Sequence, residues 1–221
     1  MNLFSKLNEY WKKQGSEFDS FYSASAFSPK KIVGAFLDRR SEILQKMLGD
    51  ISGKKILDLA CGSGIQMVDL APRCKEIIGV DISDELLAIA KKELEKLKNN
   101  NWSLVSSDAT RLPLKDGEID LVYSLGLLDY VEDIPVILRE CRRVLRDDGS
   151  IIFTVPRRPS LFAFFRTQPG IWLRRKLFNL PPIANALKKS ELNNLLASVG
   201  LRIISAKSLW STMWIVKVEK L

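Results

Sequence analysis

From Lys54 onward, short apolar runs alternate with stretches whose apolar positions recur every three or four residues. The first pattern is that of buried strands and the second that of amphipathic helices. Together they predict strands near 54–59, 75–81, 102–107, 118–124, 149–156, 201–208 and 211–219, and helices near 64–72, 84–98, 132–146 and 190–199. In the helix that opens at Asp84, residues Leu86, Ala90, Leu94 and Leu97 share one side, acids fill the first turn and lysines gather toward the end, as the helix dipole favours. Strands separated by helices favour a parallel sheet covered on both faces. Before Lys54, Leu3, Leu7, Tyr10 and Trp11 recur at helical spacing, and Ile32, Phe36, Arg39, Ile43 and Met47 mark one face of a second helix. A connector carrying Phe18, Phe21 and Tyr22 separates the two.

The first predicted strand runs into Ile56-Leu-Asp-Leu-Ala-Cys-Gly-Ser-Gly64, and the second ends on Val80-Asp81. A buried strand broken by Gly-x-Gly before a helix lets backbone approach a nucleotide-like ligand closely. A dinucleotide fingerprint wants a third glycine where this chain has Met67. It also has little use for Asp58, whose carboxylate would repel a pyrophosphate and suits a cationic ligand better. Asp81, 19 positions after Gly62, stands where a carboxylate can accept from both ribose hydroxyls.

At these residues the sequence resembles the class I S-adenosylmethionine-dependent methyltransferases, in particular the small-molecule branch of the type 11-like group. Leu57–Gly64 is similar to their first motif and Gly79-Val-Asp-Ile-Ser83 to their second. The likeness continues through Ser107-Asp-Ala-Thr-Arg-Leu-Pro113, Ile119–Ser124 and Arg143–Ser150, and it covers residues 54–156 well and the two ends loosely. It implies a Rossmann-like α/β fold: a seven-stranded, mostly parallel sheet in the order 3-2-1-4-5-7-6, helices on both faces and an antiparallel C-terminal edge. The cofactor implied is S-adenosyl-L-methionine, with S-adenosyl-L-homocysteine as product and no metal. The resemblance further implies that backbone groups of Ala60, Gly62 and Gly64 hold the methionine part and that Asp58 supports the loop or the ligand ammonium. Asp81 binds the ribose, Ile82 flanks the adenine, Asp108 and the Ala109 amide meet the adenine edge, and Leu125 approaches the methionine end through its backbone. The structural alternative for Asp108 is a turn-capping aspartate. Asp129 and Tyr130 occupy the neighbourhood where many small-molecule members have a histidine, and they are the catalytic candidates; Asp129 also reads as the cap of the helix at 132–146. An N-terminal piece of this kind lies over the cofactor pocket in related enzymes, which makes Tyr22 a lid candidate.

Composition narrows the picture. The 221 residues fit one domain, read as a helical lid over 1–50, a cofactor-binding core over 51–156, an insert over 157–189 and a C-terminal helix and strands over 190–221. Charged residues interrupt the first thirteen positions and no segment is long enough to span a bilayer, so the expectation is a cytoplasmic protein. Cys61, Cys74 and Cys141 lack paired spacing, which argues against disulfides and zinc. The chain has no histidine, so any general base is a carboxylate, a tyrosine, a lysine or the substrate itself.

The net charge of +8 is local: no acid lies between Asp148 and Glu191, while Arg157, Arg158, Arg166, Arg174, Arg175, Lys176, Lys188 and Lys189 fall there among aromatic and aliphatic residues. This insert follows the fifth strand, on the rim where ligands of open α/β sheets bind, and so suits a substrate cover. The signatures of amino-group methylation in nucleic acid and the paired cysteines of cytosine methylation are absent. These readings favour a small, lipophilic or lipid-linked acceptor methylated at oxygen, with peripheral contact of 157–189 on the anionic inner face of a membrane; nucleic acid is less favoured. Cations among aromatics also suit phosphates and stacked bases, so the alternatives are RNA or protein methylation, or a noncatalytic S-adenosylmethionine-binding protein.

Overall fold

A computed structural model gives the fold, and it describes residues 9–10, 30–160, 164, 167–178, 183 and 185–221. Helix α1 (Lys30–Leu48) precedes β1 (Lys55–Leu59), α2 (Ile65–Leu70), β2 (Glu76–Asp81), α3 (Asp84–Leu94), β3 (Trp102–Ser106), β4 (Ile119–Ser124), α4 (Ile134–Val144) and β5 (Leu145–Pro156). Then follow α5 (Gln168–Phe178), α6 (Lys189–Ser198), β6 (Leu201–Leu209) and β7 (Met213–Lys220). The strands form one sheet in the order β3-β2-β1-β4-β5-β7-β6, parallel except for β7, which runs antiparallel to β5 and β6. This is the order the resemblance implies. The chain goes from β1 to β2 on one side and returns to β4 on the other, so the strand order reverses at β1 and a crevice opens beyond its carboxyl end.

Strand alternation sends Ile56, Leu121, Tyr123 and Ile152 to one face, where they pack with Leu44 and Leu48 of α1 and with Met67 and Leu70 of α2. Leu57, Leu59, Val122 and Ile151 face the other way, against Ile137, Leu138 and Cys141 of α4 and Leu192 and Leu196 of α6. Both faces are dry, which is why the parallel strands read as near-continuous apolar runs.

Several expectations need correction. The buried stripe of α1 is Leu37, Arg40, Leu44, Met47 and Leu48, whereas Arg39 is exposed. The apolar positions near one face allowed two stripes about one residue apart, and contact with the sheet selected the one that buries an arginine. Helix α4 is shorter than 132–146, because Asp133 caps it by accepting from Val136 N at 3.1 Å and Pro135 sits in its first turn. Strand β5 begins four residues early, through a register shift against β4 between Ile119 and Leu121. The insert contains a helix, α5, that the periodicity did not reveal; Pro169 lies in its first turn, where proline is well tolerated. The helix read over Leu3–Trp11 lies outside the described residues apart from Glu9 and Tyr10, as do the connector and Tyr22.

The missing third glycine has a structural answer. Met67 is fully buried in α2, and the room it takes is on β2: a Cβ on Gly79 would stand 2.5 Å from the Met67 sulfur and 2.9 Å from both the Cys61 sulfur and a Leu104 methyl. The glycine needed for close helix–strand packing has moved from the helix to the strand. Gly79→Ala is expected to destabilise the fold by about 1–3 kcal/mol through overpacking, read from denaturant unfolding; a loss under about 0.5 kcal/mol would show that Met67 swings aside freely.

Candidate functional site

The loop between β1 and α2 is held by β2. Ala60 N and Cys61 N both donate to Val80 O, at 2.7 and 3.1 Å, and Gly62 N donates to Asp81 Oδ2 at 2.9 Å. Three of its residues are left-handed, Ala60 at φ 63°, Gly62 at 56° and Gly64 at 76°. For Ala60 that conformation is strained, and the paired Val80 bonds hold it there. A Cβ on Gly64 would lie 2.9 Å from that of Ala90, so this glycine also permits the close approach of α3.

Asp81 is buried, and its other oxygen accepts from Ser83 N at 2.9 Å, while Ser83 Oγ caps α3 by accepting from Leu86 N at 3.3 Å. One carboxylate thus fixes the glycine loop and the β2–α3 turn together. Burial pushes its pKa up, against the backbone donors Ser83, Gly62 and Ile82 that pull it down. These three donors leave the carboxylate, with its roughly four acceptor positions, room for a ligand hydroxyl. Ser107 N donates to Asp81 O at 3.0 Å, which brings the end of β3 to the same place. Asp108 follows, exposed, with Oδ1 accepting from Thr110 N at 2.8 Å, so the turn-capping role is real. Ile82 is half-buried beside Asp81, and Ala109 packs its methyl against the core.

Beneath the loop lies a buried charged group that was only half legible in the sequence. Asp58 on β1 is in register with Tyr123 on β4, and the Tyr123 hydroxyl donates to Asp58 Oδ2 at 2.6 Å. Burial, reinforced by the Asp81 charge, pushes the Asp58 pKa up to about 7, opposed by the tyrosine hydroxyl and the positive charge of Arg40. Tyr123 is itself driven well above the ordinary tyrosine value by burial and by Asp58, so it donates here and does not serve as a base. Arg40 is buried; it donates from Nη1 to Leu125 O at 3.3 Å, and its Nε has no partner among the described residues. A buried guanidinium with an unmet donor has an anion-binding capacity that the protein leaves open. The sequence analysis missed Arg40 and Tyr123. The signal for Tyr123 was a phenolic hydroxyl following Leu121 and Val122 in a strand read as buried; Arg40 had none beyond its nearness to an apolar face.

The rim loop after β4 holds Leu125, Asp129 and Tyr130. Gly126 N donates to Thr154 Oγ1 at 2.8 Å and Tyr130 N to Leu127 O at 3.0 Å. Asp129 is 5% exposed, and since Asp133 caps α4, the capping alternative for Asp129 falls. The returning end of the insert is fastened onto this loop by Asn185, whose N donates to Asp129 O at 3.2 Å and whose Nδ2 donates to Leu128 O and Val131 O at 3.0 and 2.6 Å. Its root is closed by Arg158 N donating to Leu187 O and Leu187 N to Pro156 O, both at 2.9 Å. Cysteine chemistry is disfavoured, because burial raises the Cys61 and Cys141 thiols, the latter to about 12. Among the described residues no group of three or more potential ligands is placed to hold a metal ion, and no helix is long and apolar enough to cross a membrane.

The crevice therefore offers backbone donors at a glycine loop, a carboxylate with spare acceptor positions at the end of β2, and buried groups of opposite charge between β1 and α1. This set fits a ligand with a ribose and a zwitterionic amino-acid end. Comparison with known proteins points the same way. Residues 57–153 match the family described as "Methyltransferase domain". The chain is 26% identical over 205 residues to the ubiquinone biosynthesis O-methyltransferase of Nitrosomonas europaea, covering 91% of this chain and 81% of that protein. It is 28% identical to the demethylmenaquinone methyltransferase of Lactococcus lactis and 31% to the malonyl-[acyl-carrier protein] O-methyltransferase of Legionella pneumophila, matching 71% and 70% of this chain but only 60% and 51% of those longer proteins. In fold it is similar to the magnesium protoporphyrin IX methyltransferase of Synechocystis, with a TM-score of 0.77 over all of both chains at 16% identity. With the strand order, the glycine loop and Asp81 in place, the chain belongs to the class I S-adenosylmethionine-dependent methyltransferases.

Proposed function

We propose that this protein methylates an oxygen of a small lipophilic acceptor in the crevice beyond β1 and β4. The observation that carries the reading is the glycine loop held by Asp81, with the buried Asp58 and the buried Arg40, whose Nε has no partner among the described residues, on the α1 side of the sheet. The methionine end of the cofactor has the complementary carboxylate and ammonium. In this reading Arg40 receives the carboxylate and Asp58 the ammonium. Backbone of Ala60, Gly62, Gly64 and Leu125 lines the methionine part, Asp81 accepts from the ribose hydroxyls, and Ile82, Asp108 and Ala109 border the adenine. The bound cofactor supplies a methyl group already activated on a sulfonium, so the protein's main task is alignment of an in-line displacement.

Asp129, held within the rim loop, is the proposed base that takes the proton from the acceptor hydroxyl, with Tyr130 beside it as a positioning group. The insert closes this end of the crevice through Asn185, which ties the acceptor cover to the loop carrying Asp129. Relatives named for ubiquinone biosynthesis and for demethylmenaquinone support a lipophilic acceptor, and the name O-methyltransferase supports oxygen. Peripheral contact of the insert with an anionic membrane belongs to the same reading.

Labelled methyl from S-adenosylmethionine, incubated with the protein and a host-cell extract, is expected in an organic-soluble product; label confined to RNA or to protein would overturn the acceptor class. Asp129→Asn is expected to lower turnover by about 10²–10⁴-fold with unchanged cofactor affinity, and full turnover would remove Asp129 as the base. Cofactor binding is also expected to depend on pH. The raised pKa of Asp58 means that near pH ~6 the free protein holds a proton which an incoming ammonium displaces. Binding therefore strengthens as pH rises toward about 7 and releases protons below it, whereas Asp58→Asn flattens this dependence. Titration calorimetry in two buffers of different ionisation enthalpy reads the released protons, and equal enthalpies in both would refute the assignment.

A further inference from the structure

Four of the six most exposed large apolar side chains among the described residues gather at one end of the molecule: Phe164, Trp172 and Leu177 in the insert and Trp210 in the β6–β7 turn. The sheet explains why they share that end. Met213, just after the turn, pairs with Pro156, from which the insert departs, and Arg157 N donates to Thr212 O at 2.8 Å. The insert returns to the same rim at Leu187, so its root, the β6–β7 turn and the crevice mouth all lie at the carboxyl end of the parallel strands.

Helix α5 is built with two unlike sides. Gly170 is buried and Ile171 and Leu173 are half-buried, which seats the helix, while Trp172, Arg175 and Lys176 share the exposed side; Leu177, on the side of Gly170 and Leu173, is exposed in the last turn. Trp172 is 61% exposed and carries the Lys176 ammonium 4.9 Å from its ring centre. Lys188 and Lys189, where the insert returns to the rim, and Lys207, near the end of β6, are exposed as well. None of these cations, nor Arg175 or Lys176, forms an ion pair among the described residues. Arg158 is different, since Glu191 takes its charge at 2.6 Å. A solvated helix face ordinarily mixes both signs and keeps tryptophan and leucine covered. A face of tryptophan, leucine and uncompensated cations fits the headgroup zone of an anionic bilayer, where the indole rests at the interface and the cations meet lipid phosphates.

We propose that the outward face of α5, extended by Lys207 of β6 and Trp210 of the β6–β7 turn, docks the protein on an anionic lipid surface with the crevice mouth turned toward the membrane. The proposal rests on the lipophilic-acceptor reading for its purpose: an acceptor dissolved in the bilayer would reach the rim loop without crossing water. Because Asn185 ties the end of the insert to the Asp129 loop, the docked element and the acceptor end of the crevice are one connected piece.

The test is co-sedimentation of the full chain with vesicles of phosphatidylcholine alone and of phosphatidylcholine with about 30 mol% phosphatidylglycerol, at low and at high salt. Binding is expected only to the anionic vesicles and only at low salt. Arg175→Glu/Lys176→Glu and Trp172→Ala/Leu177→Ala are each expected to weaken it at least about tenfold. Lys98→Glu/Arg139→Glu, the same charge change away from this rim, is expected to leave it unchanged. Cofactor affinity, measured on every variant, is expected to stay at the wild-type value and shows that each is folded. Absence of binding to either vesicle, or binding indifferent to the α5 changes, would overturn the proposal. So would salt-dependent capture of a single-stranded RNA oligonucleotide without vesicle binding. Vesicle binding by a protein that fails to bind S-adenosylmethionine would refute the methyltransferase reading and leave the docking face standing.

Discussion

The site is organised around the carboxylate of Asp81. One oxygen accepts from Gly62 in the loop after β1 and the other from Ser83 at the start of α3, while its carbonyl accepts from Ser107 at the end of β3. Three chain segments that would otherwise end in separate loops are fixed relative to one another by this single residue. The left-handed turns at Ala60, Gly62 and Gly64 persist because the surrounding hydrogen bonds over-determine them. An apolar residue at position 81 would leave the Gly62 and Ser83 backbone donors unmet and the loop free to relax, so the shape of the crevice depends on this side chain.

A second constraint acts at right angles to the first. Asp58 and Tyr123 face each other across β1 and β4 on the side of the sheet that α1 covers, and α1 supplies Arg40 to the same region. A carboxyl group this deeply buried is held near neutrality between its charged and uncharged forms. The arrangement is expensive for a core position, and a zwitterionic partner is the compensation proposed for it. It also makes the N-terminal helix part of the crevice wall: Arg40 bonds the carbonyl of Leu125, and Phe36 packs edge-on against Trp210 with ring centres 5.6 Å apart.

The rim of the crevice beyond β4 is built from the loop bearing Asp129 and the returning end of the insert. Asn185 inserts three hydrogen bonds between them, so the loop bearing Asp129 cannot shift without the end of the insert. The glycine loop and Asp81 are thus held by the sheet itself, and the loop bearing Asp129 by an element added at its rim.

Strand positions, the parallel sheet and the cofactor loop were legible in the sequence because they depend on local signals: apolar runs of strand length, glycines at a tight turn and an acid at the end of the next strand. The capping of α3 by Ser83 was equally local. What tertiary structure decided were matters of facing and partnership. Only packing against the sheet selected Arg40 over Arg39 on α1, because apolar residues near one face permit either stripe. Only the register of β1 with β4 brought Tyr123 to Asp58, and only the fold moved the space for helix packing from position 67 to Gly79. Asp129 is the sharpest case. Its neighbourhood in sequence allowed a helix cap or a catalytic acid, and the cap passed to Asp133 once Pro135 had set where α4 could begin. Patterns of two and three-and-a-half residues fix which elements form, while the partner of a buried charge depends on chain segments distant in sequence, and those meet only in the folded protein.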